Sequence, residues 1–268
     1  MGYITGPQDL TYLKWSHIRS SSGTAGTFLK SESTLQGRKI YYKLSNFDPV
    51  KGVIGHECVN ELIIDRLLTL LGVEHLSYDL IPAKIEIEQK PYRTYLCASE
   101  DFKKRGESKI ALDDYYRVNA KKGESRYEFC VRMGWQEYVD TMLAVDYIIL
   151  NRDRHGANIE ILRNARAHKL RIAPLFDHGL SLLYSCISEK AVEGFDILED
   201  KPCQNFIGSY SCRENLSLIR DRSRIFQGKL KPSDKAVLFE GMEEILQKVY
   251  IDKIWDMIYK RYQIYENL

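Results

Sequence analysis

The chain has 268 residues, of which 44% are hydrophobic and 28% charged, as in an ordinary globular protein. Its 39 basic and 37 acidic residues leave a net charge of +2, which argues against nucleic acid or a membrane surface as a bulk electrostatic partner. No apolar run approaches the roughly 18 residues that a membrane span needs, and the N-terminus lacks a signal-peptide pattern. The six cysteines form no CxxC pair, so we expect a reduced, cytoplasmic protein.

A loop of small residues is the first informative stretch. Residues 19–30 read RSSSGTAGTFLK, in which serines and glycines lead into the start of an apolar strand. Backbone N–H groups of such a loop can approach phosphates, which makes Ser22, Gly23 and Thr24 candidate nucleotide-binding residues. The loop matches neither GxGxxG nor a Walker A sequence, and a flexible linker explains it equally well.

Residues 38–45 alternate in the manner of a β-strand. Ile40, Tyr42 and Leu44 share one face, and Lys43 lies on the other. A lysine on the strand after a phosphate loop is where kinases bind the phosphates of ATP. The alternative is an edge-strand lysine that prevents aggregation. Its position between the loop and the next helix favours the phosphate-binding role.

A helix is predicted over residues 55–71, because apolar residues recur at helical spacing and a glycine follows as the C-cap. Glu57, Glu61 and Asp65 form an acidic stripe beside the apolar face. One of these carboxylates can pair with Lys43, as a helix glutamate does in kinases. For any single one of them, a solvated helix face is the commoner arrangement.

Two more strands, residues 80–87 and 92–98, are predicted to complete a small sheet. Residues 103–125 are charged and lack clean periodicity, so we expect a mobile connection with one short helix. A long helix follows over residues 135–149, where apolar residues recur at spacings of three and four. Asp146 on this helix is expected to accept structural hydrogen bonds rather than to catalyse.

Two polar islands interrupt the apolar sequence between residues 144 and 183. The first runs from Asn151 to Asn158 and contains the motif DRHGAN, which begins at Asp153; the second is DHG, which begins at Asp177. Two short strands separate them, and a hairpin there would bring Asn158 close to Asp177. The pattern suits phosphoryl transfer: Asp153 orients and deprotonates the attacking hydroxyl, and Asn158 and Asp177 bind Mg²⁺ on the nucleotide phosphates. Two ordinary polar turns are the alternative, but they do not explain the kinase-like spacing.

The stretch DRHGAN…APLFDHGLSL resembles the catalytic core of HipA-like bacterial serine/threonine kinases and, more distantly, that of phosphoinositide kinases. The resemblance covers roughly residues 19–184. It implies a kinase that uses ATP and Mg²⁺ and acts on a Ser or Thr hydroxyl of a protein. Within it, the Asn-Glu pair at the start of the predicted helix selects Glu61, rather than Glu57, as the partner of Lys43.

The same resemblance implies further nucleotide contacts and a regulatory site. Phe102 would lie against the adenine, with Glu100 near its polar edge. His155 matches a position that contacts the nucleotide, and a histidine that only orders the loop is the alternative. Ser20 matches a serine that becomes phosphorylated in HipA-like kinases, after which the loop leaves the ATP site. Because some of these kinases are toxins, an antitoxin or another regulatory protein is a candidate partner besides an unidentified protein substrate.

The order of the elements predicts an α+β protein with a two-lobed, protein-kinase-like fold. Residues 1–99 would form an N-lobe with a small sheet and one helix, and residues 100–268 a mainly helical C-lobe with the catalytic loop and metal site. Three other functions are left open: a lipid or small-molecule kinase with the same parts, a nucleotide-binding pseudokinase or interaction module, and a metal phosphohydrolase. The intact Asp153, Asn158 and Asp177 argue against the pseudokinase, and the shortage of further histidine and carboxylate ligands argues against the hydrolase.

Overall fold

The structure is a computed structural model that describes residues 1–18, 25–222 and 225–268, without the side chains of residues 17, 18 and 25–27. Within these residues the N-terminal part is rich in strands: β1 (Gln8–Asp9), β2 (Ser16–Ile18), β3 (Ala25–Leu35), β4 (Arg38–Leu44), β5 (Phe47–Asp48), β6 (Gly52–Val53), α1 (Glu57–Leu71), β7 (Asp79–Ile87) and β8 (Lys90–Glu100). The remainder is mainly helical: β9 (Glu107–Ala111), α2 (Leu112–Asn119), α3 (Arg126–Arg132), α4 (Gln136–Ile149), β10 (Asp153–Arg154), β11 (Glu160–Asn164), β12 (Lys169–Ile172), α5 (Glu189–Glu193), β13 (Gln204–Asn205), α6 (Cys212–Asn215), α7 (Lys235–Leu238) and α8 (Lys248–Glu266). Short 3₁₀ helices occupy Gly156–Asn158, Leu216–Leu218 and Pro232–Asp234.

Six of the described strands form one sheet in the order β1-β7-β8-β4-β3-β2. Lys43 of β4 lies opposite Cys97 of β8, and Tyr42 lies opposite Ala98. Directly opposed residues share a face of a sheet. Lys43 and Cys97 therefore face α1, whereas Tyr42 and Ala98 face a separate apolar cluster that includes Leu10 of the N-terminal segment. The alternation predicted for residues 38–45 is confirmed.

Helix α1 packs on the face of the sheet that carries Lys43, and its apolar side chains belong to the main hydrophobic core. The helix begins after His56 and is capped at its C-terminus by Gly72. Gly72 has a left-handed φ of 69°, a conformation that a residue without a Cβ adopts without strain. The helix predicted over residues 55–71 is confirmed, with a start two residues later.

The mainly helical part is built around α4 and α8, which pack against each other. Fully buried apolar side chains lie on both helices: Val139, Met142 and Ile148 on α4, and Ile254, Met257 and Ile258 on α8. Helix α4 ends at Leu150, whose left-handed φ of 52° turns the chain directly into the DRHGAN loop. The prediction of a long helix that delivers this loop is confirmed.

A second sheet, in the order β12-β11-β9, lies beside the DRHGAN loop. Its β11–β12 hairpin is the one that the sequence predicts between the two polar islands. Strand β9 is an addition: the sequence predicts a mobile connection over residues 103–125, whereas β9 pairs along β11 and runs directly into α2. The segment ESKIA has only five residues and shows no hydrophobic period, so the sequence does not predict this strand. Its strand conformation comes from pairing with β11.

The strand-rich and helical parts form the two lobes of an α+β fold, as predicted. The chain passes from one lobe to the other after Glu100, at the end of β8. The sequence predicts the boundary of the lobes between residues 99 and 100, and this boundary stays a prediction. Among the helices in the described ranges, none is both long and apolar enough to cross a membrane.

Candidate active site

The DRHGAN loop leaves the C-terminus of α4 and is held by a buried ion pair. Arg154 is 1% exposed, and its Nη2 donates to Asp146 Oδ1 of α4 at 2.9 Å. The side-chain amide of Asn151 donates to the same oxygen at 2.8 Å, and its Oδ1 accepts from the Asp153 N–H at 3.0 Å. Burial alone would lower the pKa of Arg154, but the Asp146 carboxylate raises it above its ordinary value, so the guanidinium keeps its charge. Asp146 is thus a structural acceptor, as predicted.

Arg154 also joins the two polar islands. Its Nη1 donates to the Asn158 carbonyl at 3.3 Å and to the Phe176 carbonyl at 3.0 Å. Phe176 directly precedes Asp177, so one guanidinium holds the backbone at both ends of the β11–β12 hairpin. The structure therefore brings together Asn158 and Asp177, the two residues predicted as metal ligands. The sequence analysis missed this role of Arg154, because nothing in the motif shows which of its charged residues is buried.

Asp153 lies at the start of the loop, and its side chain is 23% exposed. Its backbone carbonyl accepts from the Asn158 side-chain amide at 2.8 Å, which links the predicted base to a predicted metal ligand. His155 Nε2 lies 3.7 Å from Asp153 Oδ1, and His155 Nδ1 accepts from the Ala157 N–H at 3.2 Å. His155 therefore orders the loop beside the carboxylate, and its contact with a nucleotide stays a prediction.

A second cluster joins β4, α1 and the DHG island. Lys43 Nζ donates to Glu61 Oε1 at 3.0 Å and to Asp177 Oδ1 at 2.5 Å. The side chains of Lys43, Glu61 and Asp177 are 11%, 0% and 16% exposed, so water reaches this cluster mainly from the Asp177 side. Glu57, the alternative partner of Lys43, instead accepts from the Asn46 N–H at 3.1 Å.

The charges of this cluster depend on one another. Burial would lower the pKa of Lys43, but the carboxylates of Asp177 and Glu61 outweigh that effect and raise its pKa well above the ordinary value. Burial raises the pKa of Glu61, and the Lys43 ammonium offsets part of that rise. Lys43 is therefore a firmly held cation between two carboxylates, and its binding of phosphate stays a prediction.

Side chains of helix α1 bind main-chain groups of the DHG island and of the residues that follow it. Glu61 Oε2 accepts from the His178 N–H at 2.9 Å, and Glu61 Oε1 accepts from the Gly179 N–H at 3.0 Å. Asn60 Nδ2 donates to the carbonyls of Gly179 and Ser181, each at 3.0 Å. A Cβ on Gly179 would lie 3.3 Å from Glu61 Oε1, so glycine allows this close approach. The sequence identifies Asn60 only as part of a motif and does not show that it binds these two carbonyls.

The acidic stripe of α1 is buried rather than solvated. Glu57, Glu61 and Asp65 are 4%, 0% and 1% exposed. Each accepts a hydrogen bond from a main-chain N–H group of another segment, namely those of Asn46, His178 and Tyr78. Periodicity shows which residues share a helix face but not what covers that face, so the sequence could not predict this burial.

Asn158 and Asp177 fit a magnesium site that the nucleotide would complete. They offer an amide and a carboxylate oxygen, the ligand types that Mg²⁺ prefers. Within residues 1–18, 25–222 and 225–268, no group of three or more His, Cys, Asp or Glu side chains could hold a metal ion by itself. This donor set suits Mg²⁺, which is commonly bound by one or two carboxylates together with water and substrate phosphates.

Phe102 and Glu100, the residues expected at the adenine, occupy different faces. Glu100 lies on the face of the sheet opposite to Lys43, and its carboxylate pairs with Arg38 at 2.9 Å, where both side chains are exposed. Phe102 packs on Phe176, which precedes Asp177, with the ring centroids 5.4 Å apart. The structure thus brings Phe102 towards the site and does not bring the Glu100 side chain there.

Ser20, Ser22, Gly23 and Thr24 lie outside the described residues, so their assignments stay predictions. The strands on either side, β2 and β3, pair with each other, and β3 pairs with β4.

Two cavities open beside the DRHGAN loop. One has a volume of about 510 Å³ and is lined by Asp153 together with Arg152, Leu180 and Tyr184. The other, of about 650 Å³, lies between α2, α3 and the segment from residue 204 to 210. His155, Gln204 and Tyr210 line both cavities, so we treat the two cavities as one groove beside the DRHGAN loop and call it the Asp153 groove.

No protein-family model and no curated protein matches the sequence. Among solved structures, the chain is similar to the Helicobacter pylori proinflammatory kinase CtkA, with a TM-score of 0.59 and 14% identity over 97% of this chain and 96% of that one. HipA in the Shewanella oneidensis MR-1 complex of HipA, HipB and operator DNA gives a TM-score of 0.43 and 13% identity, over 94% of this chain and 59% of that one. The Golgi casein kinase gives 0.44 and 13%, over 98% of this chain and 74% of that one.

The last two likenesses are too weak to carry an argument, whereas the likeness to CtkA spans both chains almost completely and shows the fold. The chain therefore has a two-lobed kinase fold, the one that the resemblance of its motifs to HipA-like kinases predicted.

Proposed function

We propose that this protein is an ATP- and Mg²⁺-dependent phosphotransferase that phosphorylates a Ser or Thr hydroxyl of a protein. One observation carries the proposal: the Lys43–Glu61–Asp177 cluster lies beside the loop of Asp153 and Asn158, joined to it by Arg154. These are the parts that kinases use to bind phosphates, hold metal and orient the acceptor.

Each part has a distinct role in the transfer. Lys43, held by Glu61, binds the phosphates of ATP, and Asn158 and Asp177 hold Mg²⁺, which neutralises charge on the phosphates. The Asp153 carboxylate orients the acceptor hydroxyl and accepts its proton as the hydroxyl oxygen bonds to the γ-phosphorus. The bond from that phosphorus to the bridging oxygen breaks, and ADP leaves with the bonding electrons.

The Asp153 groove supports a protein as the phosphate acceptor. Its two cavities, of about 650 and 510 Å³, share the lining residues His155, Gln204 and Tyr210, and together they offer room for a segment of polypeptide. Tyr210 is 76% exposed and lines both cavities, so it offers an aromatic contact to an extended chain. Self-phosphorylation at Ser20 is part of the same proposal. The six cysteines are all buried thiols, which supports a reducing, cytoplasmic environment.

Incubation of the purified protein with Mg²⁺ and γ-labelled ATP tests the proposal. The mixture contains a serine/threonine peptide library and phosphoinositide vesicles, and Asp153→Asn is the matched control. Label on peptide or on the protein itself, absent with Asp153→Asn, supports the proposal. Label on lipid would favour the lipid kinase, release of free phosphate alone would favour a hydrolase, and no label anywhere would favour a pseudokinase.

A further inference from the structure

The Tyr78 hydroxyl contacts the backbone of Asp177, the predicted metal ligand. Tyr78 belongs to none of the motifs that the sequence shows. The Asp177 N–H donates to the Tyr78 hydroxyl at 3.2 Å, across 99 residues of sequence. Tyr78 is only 7% exposed, so water does not readily take the place of this acceptor. Burial raises the pKa of Tyr78 well above its ordinary value, so the hydroxyl keeps its proton.

Asp177 needs such an anchor because of its backbone conformation. Its φ is +58°, in the left-handed region that residues with a Cβ adopt at a cost. A strained conformation persists only where the surroundings hold it, and here the Tyr78 hydroxyl holds the N–H of the strained residue itself. On its C-terminal side, Glu61 accepts from the N–H groups of His178 and Gly179.

Tyr78 is in turn fixed to helix α1. Its N–H donates to Asp65 Oδ2 at 2.9 Å, and Asp65 is 1% exposed. Asp65 also accepts hydrogen bonds from four other groups, namely the Gly2 N–H, the Thr69 hydroxyl, His75 Nε2 and the Ser77 hydroxyl. Glu61 lies four residues before Asp65, on the same face of the helix. Helix α1 therefore holds the Asp177 segment from both sides, through Glu61 and through the Asp65–Tyr78 contact.

We infer that Tyr78 is a positioning residue for magnesium binding: its hydroxyl fixes the backbone of Asp177, the residue whose carboxylate would hold the metal. The inference rests on the proposed function, since it takes Asp177 as a metal ligand. Tyr78 itself contacts neither metal nor nucleotide. Groups that orient a metal ligand without touching the metal typically change metal affinity by about 10–100-fold when removed.

The test compares Tyr78→Phe, which removes one oxygen atom, with Tyr127→Phe. Tyr127 is a matched control, because its buried hydroxyl donates to Asp140 Oδ1 at 2.7 Å between α3 and α4. The first readout is amide hydrogen exchange at Asp177, which requires no activity. We expect Asp177 to be protected in the wild type and in Tyr127→Phe, and to exchange at least about tenfold faster in Tyr78→Phe. An unprotected Asp177 amide in the wild type would overturn the inference without any variant.

The second readout is calorimetric titration with ATP in the presence and absence of Mg²⁺. Tyr78→Phe should weaken ATP binding by about tenfold with Mg²⁺ and leave binding without Mg²⁺ unchanged. Equal losses with and without Mg²⁺, or no loss in either, would overturn the role of Tyr78. If the wild-type protein binds no ATP at all, the proposed function fails, and the exchange measurement still decides whether Tyr78 fixes Asp177.

Discussion

The two halves of the candidate site are held in different ways. The side-chain contacts that hold the DRHGAN loop come mainly from residues close in sequence, since Asp146, Asn151 and Arg154 lie within the same helix end and loop. Its strand β10 also pairs with β13 of the same lobe. The Asp177 segment is fixed from across the cleft by Lys43, Glu61 and Tyr78, which lie between 99 and 134 residues away. Asp153, the proposed base, thus belongs to the C-lobe, whereas the placement of Asp177, the proposed metal ligand, depends on the positions of α1 and β4.

This difference has a functional consequence. A displacement of α1 would move Glu61 and Asp65 together and change the surroundings of Asp177, while the hydrogen bonds within the DRHGAN loop would stay intact. We therefore expect changes in the N-lobe to act on nucleotide and metal binding, and changes around Arg154 to act on stability and on both halves of the site.

Asp153→Asn should have the largest effect on activity. Removal of a positioned base typically costs about 10²–10⁴-fold in rate, and no change in ATP affinity is expected, because Asp153 belongs to the acceptor side. Measurement of kcat with labelled ATP, with thermal unfolding as a check on the fold, tests this. A folded variant with more than about a tenth of the wild-type kcat would remove Asp153 from its role.

Arg154→Met should have the largest effect on stability. It leaves the buried Asp146 carboxylate without its cation, a change that typically costs about 3–5 kcal/mol. The control is Arg38→Met, which breaks the exposed pair with Glu100 and should cost less than about 1 kcal/mol. Urea unfolding of both variants measures how much free energy of unfolding each one loses. Equal losses would mean that the two halves of the site are not joined through Arg154.

The pairing of Lys43 with Glu61 can be measured by a double-mutant cycle. Lys43→Met and Glu61→Gln should each reduce Mg²⁺-dependent ATP affinity, and the double variant should lose less than the sum of the two. Residues in direct contact typically show coupling energies of about 0.5–3 kcal/mol. The same cycle with Glu57→Gln should be closer to additive, and a larger coupling to Glu57 would contradict the observed pairing.

The smallest expected effect is on the pH dependence of stability. Burial lowers the pKa of His56, which precedes α1, from 6.5 to about 4. The unfolded chain then binds a proton that the folded chain does not, so stability is retained above pH 6.5 and falls as the pH drops towards about 4. One such group contributes a slope of up to about 1.4 kcal/mol per pH unit.

Urea unfolding between pH 7 and pH 4.5 should therefore show a shallower slope for His56→Gln than for the wild type. Part of the slope should remain, because burial lowers the pKa of His178 in the same direction. Parallel slopes for the two proteins would show that His56 is not buried in the neutral form.

The sequence predicts the DRHGAN half of the site better than the Asp177 half. The motif, the helix before it and the hairpin after it are all local patterns, and the two-lobed fold follows from their order. The chain gives no local sign that Tyr78, Asn60 and Asp65 hold the Asp177 segment, because each acts through contacts with other segments of the chain. Strand β9 was missed for the same reason, since pairing with β11 defines it.

The most direct test of the account is calorimetric titration of the wild type, Asp177→Asn and Asn158→Ala with ATP, with and without Mg²⁺. The account predicts saturable binding that depends on Mg²⁺. Asp177→Asn should weaken it by at least about tenfold and more than Asn158→Ala, because a carboxylate offers the ion a full charge and an amide only a dipole. Binding that is equally tight without Mg²⁺, or that Asp177→Asn leaves unchanged, would contradict the claim that these residues form the metal–nucleotide site of a kinase.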